Sequence, residues 1–182
     1  MSKIAVLVSG SGTNLRKILE KGIEVAVIIS DRKCLAEDIA KEYNIPYFEF
    51  ERKGISEKVC KILKGYDVKL IVLAGFLSIL NGEILDKYEG RIINIHPSLL
   101  PKYSGRGMYG MKVHEKVFEN GDKISGTTIH FVTKEVDAGG IIRQEVVDIS
   151  EAKSADEIQK LILAREWKVY PQIIKEILDG SK

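Results

Sequence analysis

The sequence predicts an α/β fold of the doubly wound kind: a mostly parallel sheet covered by helices on both faces, with an antiparallel extension near the C-terminus. Three observations carry that prediction. Short, β-rich apolar runs alternate with helical patterns up to Pro101. The runs are apolar throughout rather than alternating with polar residues, as strands buried on both faces must be. After Pro101 the rhythm changes to two longer runs joined by a glycine-containing turn.

The first run, IAVLVS (4–9), precedes NLRKILEK, whose Leu15, Ile18 and Leu19 recur at helical spacing. VAVIIS (25–30) precedes LAEDIAKEYN, PYFEF (46–50) precedes ISEKVCKILKGY, and LIVLAGF (70–76) precedes ILNGEILDKYEG; RIINIHP closes the series. Parallel strands linked by helices imply right-handed crossovers. Beyond Pro101, SGRGMYG reads as a glycine-rich loop and VHEKVFENG as a short helix. SGTTIHFVTKEV and IIRQEVVDI, joined by DAGG, predict a long antiparallel pair extending the sheet. A last amphipathic helix begins at Ser154, where SADE has the capping-box pattern, and is expected to be interrupted at Pro171. No repeat, low-complexity stretch or long linker divides the chain, so residues 1–182 are expected to form one domain.

A chain of 182 residues, 45% hydrophobic and 30% charged, can bury a sizeable core. Its 28 basic and 26 acidic residues are interspersed, and a net charge of +2 gives no electrostatic support for a nucleic-acid or membrane-surface role. Cys34 and Cys60 lie far apart, with no CxxC and no nearby histidine pair, so disulfide and zinc readings are weak and a reducing cytoplasm is expected. The apolar run after the N-terminus stops at glycines, too short for a signal peptide or a membrane span.

Chemistry concentrates in a few stretches. VSGSGTNLR (8–16) joins the first strand to the first helix, where small residues let the backbone curl and the helix N-terminus presents N–H groups to an anion. The third glycine of GxGxxG is replaced by Leu15, and no GK[ST] follows, so a single phosphate group is favoured over a dinucleotide or a merely structural turn. Asp31, ending the second strand, keeps the dinucleotide alternative open as a ribose reader. Gly75 in VLAGFLSIL (72–80) permits close approach of a ligand at a strand's carboxyl end, and a plain strand-to-helix turn explains it equally well.

The stretch IINIHPSLLP (92–101) poses the sharpest question. Asn94 and His96 stand on one face of an otherwise apolar strand, and burying each costs roughly 1–3 kcal/mol unless it is satisfied. That cost favours a catalytic His96 over a satisfied core histidine. His130 shares a face with Thr128 and is expected to be structural and hydrogen-bonded, while His114, on a helical surface pattern, is expected to be solvated. Asp137 sits at the glycine-softened turn VDAGG (136–140). Together, Asn94, His96 and Asp137 make a coherent set: an imidazole moves a proton, a carboxylate supports its charged form, and an amide N–H stabilises an oxyanion. GxSxG is absent, so the set suits direct acyl transfer to an amine through a tetrahedral intermediate.

VSGSGTNL, VLAGF, INIHPSLLPKYSG and HFVTKEVDAGG, in this order and spacing, resemble the phosphoribosylglycinamide formyltransferase family over nearly the whole chain. The resemblance implies a Rossmann-like enzyme that moves a formyl group from 10-formyltetrahydrofolate to the amine of glycinamide ribonucleotide in purine biosynthesis, with no metal. By that similarity Asn94, His96 and Asp137 match the catalytic trio, and Gly12, Thr13 and Asn14 the phosphate loop. Leu77, Ser78, Ile79 and Leu80, with Thr133, Lys134, Glu135 and Val136, match the segments that hold the pterin. Glu166, in AREWKVYP, matches an acid that contacts the substrate amine. Its spacing from Ile162 and Val169 also places it beside the apolar stripe of its helix, where the plain alternative is a surface ion pair.

Two departures from the family pattern stand out. The loop over 104–114, in SGRGMYGMKVHE, is longer than expected, which leaves the shape of a lid over the folate open. No arginine near ISEKV matches the one that meets the folate's glutamate end, and Arg52 and Lys53 are the alternatives there. Related chemistries share the trio. A methionyl-tRNA formyltransferase needs a further RNA-binding domain, and a formyltetrahydrofolate hydrolase usually carries a regulatory domain before the first strand. The non-enzyme alternative is a nucleotide-binding regulatory module, which would leave Asn94 and His96 without a use. Monomer and homodimer remain open.

Overall fold

The computed structural model describes residues 3–180, and its first strand shows why the sheet forms. In β1 (Ile4–Val8) every side chain is buried. Ile4, Val6 and Val8 enter one core with residues of helices α1 (Thr13–Glu20), α2 (Ala36–Glu42) and α6 (Ala155–Leu178). Ala5 and Leu7 enter another, against α3 (Ile55–Leu63) and α4 (Glu83–Lys87). A strand with helices on both faces has no use for polar alternation.

β2 (Val25–Ser30), β3 (Tyr47–Glu49), β4 (Leu70–Leu73) and β5 (Ile92–His96) lie parallel, and β6 (Ile124–Phe131) and β7 (Ile141–Asp148) run antiparallel beyond β5. The sheet order is β3-β2-β1-β4-β5-β6-β7. The chain winds one way from β1 to β3 and the other way from β4, so the connections after β1 and β4 diverge. They open a crevice at the carboxyl ends of those strands. A third cluster packs Val113 and Val117 of α5 (Met111–Glu119) against Ile158 and Ile162 of α6.

Three details differ from the sequence expectation. α6 runs through Pro171 without interruption. The lost hydrogen bond and ring clash cost ~3 kcal/mol in an unsupported helix, but Tyr170, Ile173 and Ile174 beside it are fully buried, and that packing holds the helix straight on. α4 is only five residues long, since Gly82 at φ 70° and ψ −149° keeps the preceding residues out of the helix. β6 stops at Phe131, so Val132 to Gly140 form a connection rather than strand and turn. Gly139 is required there, because a Cβ would collide with the Phe131 carbonyl. The capping pattern at Ser154 is realised: its hydroxyl accepts from the Glu157 N–H at 3.2 Å, and Glu157 accepts from the Lys153 N–H at 2.8 Å.

Candidate active site

A cavity of about 570 Å³ occupies the crevice. β1 delivers the loop from Ser9 to Gly12 and then α1; Gly12 takes φ 70°, and a Cβ there would fall 2.7 Å from Ile39 Cδ1. Gly12 gives α1 no side-chain cap and no acid occupies the first turn, so the N–H groups at the helix N-terminus face the cavity without a side-chain acceptor from Gly12. The segment after β4 supplies Leu77, Ser78, Ile79 and Leu80, β5 supplies Asn94 and His96, the β6–β7 connection supplies Thr133, Glu135, Val136 and Asp137, and α6 supplies Glu166. Thr13 and Asn14 complete the wall. Lys134 is different: it is largely exposed, with Nζ 3.6 Å from Asp86.

His96 is 4% exposed. Its Nε2 lies 2.8 Å from the Tyr103 carbonyl, which can only accept, so Nε2 carries a hydrogen and Nδ1 is left to exchange protons. Nδ1 faces Asp137 Oδ2 at 3.7 Å. Asp137 holds φ 55°, a left-handed conformation uncommon for a residue with a Cβ, and its Oδ2 accepts from the Gly105 N–H at 3.0 Å. The loop after Tyr103 is thereby docked on the same carboxylate that faces His96.

Asn94 Nδ2 lies 3.2 Å from His130 Nε2, and His130 Nδ1 lies 2.9 Å from the Phe131 carbonyl. With its Nδ1 hydrogen given to that carbonyl, His130 accepts from Asn94 through Nε2. One amide hydrogen of Asn94 is thus used in orientation and the other remains for a ligand. Burial pushes His130 below the ordinary histidine value, against the opposing pull of the Phe131 carbonyl and Asp137, which keeps it a neutral acceptor. The hydrogen-bonded role expected for His130 is the one observed.

His114 corrects the sequence expectation: it is 2% exposed, lines the cavity, and its Nδ1 has no partner. Burial, with His96 nearby, lowers it to about 4. The solvated reading failed because α5 is covered by α6 on the side that carries His114, which a short helical pattern does not reveal. Asp31 bears on the lesser, dinucleotide alternative. Its side chain is fully buried and bound by Arg32 and Ser78, so it is not free to read a ribose. Arg52 and Lys53 lie outside the cavity, on a separate shallow depression beside Asp31.

Glu166 is 5% exposed, which removes the surface-pair alternative. Asn14 Nδ2 donates to its Oε2 at 2.9 Å, across 152 positions of sequence. Thr127 Oγ1 lies 3.3 Å from Oε1 and 3.0 Å from the His96 carbonyl. Burial raises the Glu166 carboxyl to about 7, despite the hydrogen bonds from Asn14 and Thr127 that oppose the rise. The folded state therefore binds more protons than the unfolded state from about pH 4.5 to about 7. The stability contributed by protonated Glu166 is full below that window and is lost as pH rises through it, a change on the order of 3 kcal/mol. Glu166→Gln is expected to flatten this decline. Chemical unfolding at pH 5 and pH 8 checks it, and an unchanged slope would place the titration elsewhere.

The pattern of the formyl transferase family matches residues 2–174. The chain belongs to the formyl transferase family. This formyl transferase is 38% identical to phosphoribosylglycinamide formyltransferase of Haemophilus influenzae, over 99% of this chain and 89% of that protein. It is 36% identical to the chloroplastic phosphoribosylglycinamide formyltransferase of Arabidopsis thaliana over 97% of its own length, and spans 65% of that longer protein. Among solved structures it resembles glycinamide ribonucleotide transformylase 1 from Symbiobacterium toebii, at 35% identity and a TM-score of 0.90, over 99% of this chain and 89% of that one. Phosphoribosylglycinamide formyltransferase from Bacillus halodurans gives 31% and 0.90, over 100% and 97%. The formyl transferase fold accounts for the parallel sheet with its antiparallel edge. Among the described residues no helix is long and apolar enough to cross a membrane.

Proposed function

We propose that this formyl transferase moves a formyl group from 10-formyltetrahydrofolate to the amine of glycinamide ribonucleotide, giving formylglycinamide ribonucleotide and tetrahydrofolate, in purine biosynthesis. The observation that carries the reading is the meeting of Asn94, His96 and Asp137 in one cavity with an uncapped helix N-terminus at Gly12–Asn14. In this reading a phosphorylated substrate meets an anchor and acyl-transfer groups in the same cavity.

In the proposed step the amine nitrogen attacks the formyl carbon, and a C–N bond forms as charge moves to the formyl oxygen. The free Asn94 amide hydrogen stabilises that oxygen. His96 Nδ1 takes the proton that the amine loses, and Asp137 supports the charged imidazole. The bond from the formyl carbon to the folate nitrogen then breaks, and the same proton returns to that nitrogen. Leu77, Ser78, Ile79 and Leu80, with Thr133, Lys134, Glu135 and Val136, form the folate side; the exposed position of Lys134 suits contact through its backbone. Gly12, Thr13 and Asn14 hold the phosphate, and Glu166 holds the substrate near its amine. The buried, unpartnered Asn14 Oδ1 is complementary to a hydroxyl or ammonium hydrogen of that substrate.

Formyl transfer assayed with and without glycinamide ribonucleotide tests the reading. Turnover that requires the ribonucleotide is expected. Folate deformylation that proceeds equally without it would favour a hydrolase, and no turnover with either would favour a nucleotide-binding module.

The anchor has its own test. Gly12→Val is expected to raise the KM for glycinamide ribonucleotide far more than that for the folate. The left-handed backbone adds a stability loss of roughly 1–2 kcal/mol. Equal effects on both KM values in a folded variant would count against a phosphate site at Gly12.

A further inference from the structure

Asp31 lies at the end of β2, outside the cavity, yet it is among the most heavily bonded carboxylates near it. Its Oδ2 accepts from Ser78 Oγ at 2.6 Å, its Oδ1 accepts from Arg32 Nε at 3.0 Å, and Arg52 Nε stands 3.5 Å away. Beside it, the Ser9 hydroxyl accepts from the Leu77 N–H at 2.8 Å. The Ser9 N–H in turn donates to the Gly75 carbonyl at 3.1 Å. We propose that Asp31 is a positioning residue that clasps the segment Leu77–Leu80 to the end of β2 through Ser78, and so sets the folate-binding wall.

The geometry fixes two successive residues of one substrate-facing segment. The Leu77 N–H is held by the Ser9 hydroxyl, and the Ser78 hydroxyl by the Asp31 carboxylate. An irregular segment, in which Ile79 is exposed, is thereby fixed to immobile strand ends. Ser9 begins the loop that curls through Gly12 into α1, so movement at either segment is felt at the other. Burial alone would raise the Asp31 carboxyl, but the hydrogen bonds from Arg32 and Ser78 hold it below the ordinary carboxylate value. The clasp is therefore charged, and its hydrogen bonds are of the stronger, charge-assisted kind.

This inference rests on the assignment of Leu77–Leu80 to the folate, and the experiment separates the two. Hydrogen exchange at the Ser78 amide, measured without ligands, reads the clasp alone. Exchange is expected to speed in Asp31→Ala and, to a smaller degree, in Asp31→Asn, which retains one acceptor oxygen. In kinetics, Asp31→Ala is expected to raise the KM for 10-formyltetrahydrofolate about tenfold. The KM for glycinamide ribonucleotide should rise much less, and Asp31→Asn should restore part of the loss. Adding Ser78→Ala to Asp31→Ala should cost little more than Asp31→Ala alone, because Ser78 acts through the carboxylate. If Asp31→Ala unfolds, Asp31→Asn carries the same comparison. Unchanged exchange at Ser78 would overturn the clasp, as would equal rises in both KM values. Faster exchange in a protein whose parent transfers no formyl group would support the clasp and overturn the functional assignment instead.

Discussion

Replacing His96 with alanine is expected to lower turnover by roughly 10²–10⁴, the range for loss of a positioned general acid–base group. The attacking amine must release a proton and the folate nitrogen must gain one before it departs. His96 Nδ1 is the nitrogen placed to do both, since Nε2 is held by the Tyr103 carbonyl. Substrate contacts come from other segments, so a folate analogue should still bind His96→Ala in calorimetry. Asp137→Asn is the companion variant. It keeps the shape and the Gly105 contact but removes the charge 3.7 Å from Nδ1, so turnover should fall while binding is preserved. Turnover of His96→Ala within a few fold of the parent would remove His96 from the proton path.

Asn94→Ala carries the second largest expected loss, roughly 10²–10³ in turnover, as for removal of one oxyanion-hole donor. The effect should appear in kcat rather than in KM, because the developing oxyanion gains more from the donor than the ground-state carbonyl does. Asn94 is aimed by His130, whose Nε2 takes one amide hydrogen at 3.2 Å. A donor already oriented needs no reorganisation when charge appears on the formyl oxygen. Equal changes in KM and kcat/KM, with kcat unaltered, would make Asn94 a binding residue and not an oxyanion donor.

Much of this protein is legible in one dimension because its strands are buried on both faces. IAVLVS, VAVIIS and LIVLAGF could be apolar throughout only where helices cover the sheet on each side, so the runs themselves disclose the architecture. The pair Asn94 and His96 was visible for the related reason that polar groups in such a strand are costly. The capping pattern at Ser154 is equally local, since its hydrogen bonds span only a few residues.

What the sequence by itself determined, then, were the features set by period and by local hydrogen bonding: strand and helix order, the tight turn at Gly12, and the polar pair in β5. Tertiary packing decided the rest. Pro171 does not break α6, because Tyr170, Ile173 and Ile174 are buried around it. His114 is buried, and Asp31 is held by Ser78 from a segment distant in sequence. Glu166 owes its raised carboxyl to burial, which outweighs the opposing hydrogen bond from Asn14, a partner 152 positions away. A side chain's solvation depends on everything that packs over it, and those contacts are made by segments that local sequence patterns do not bring together.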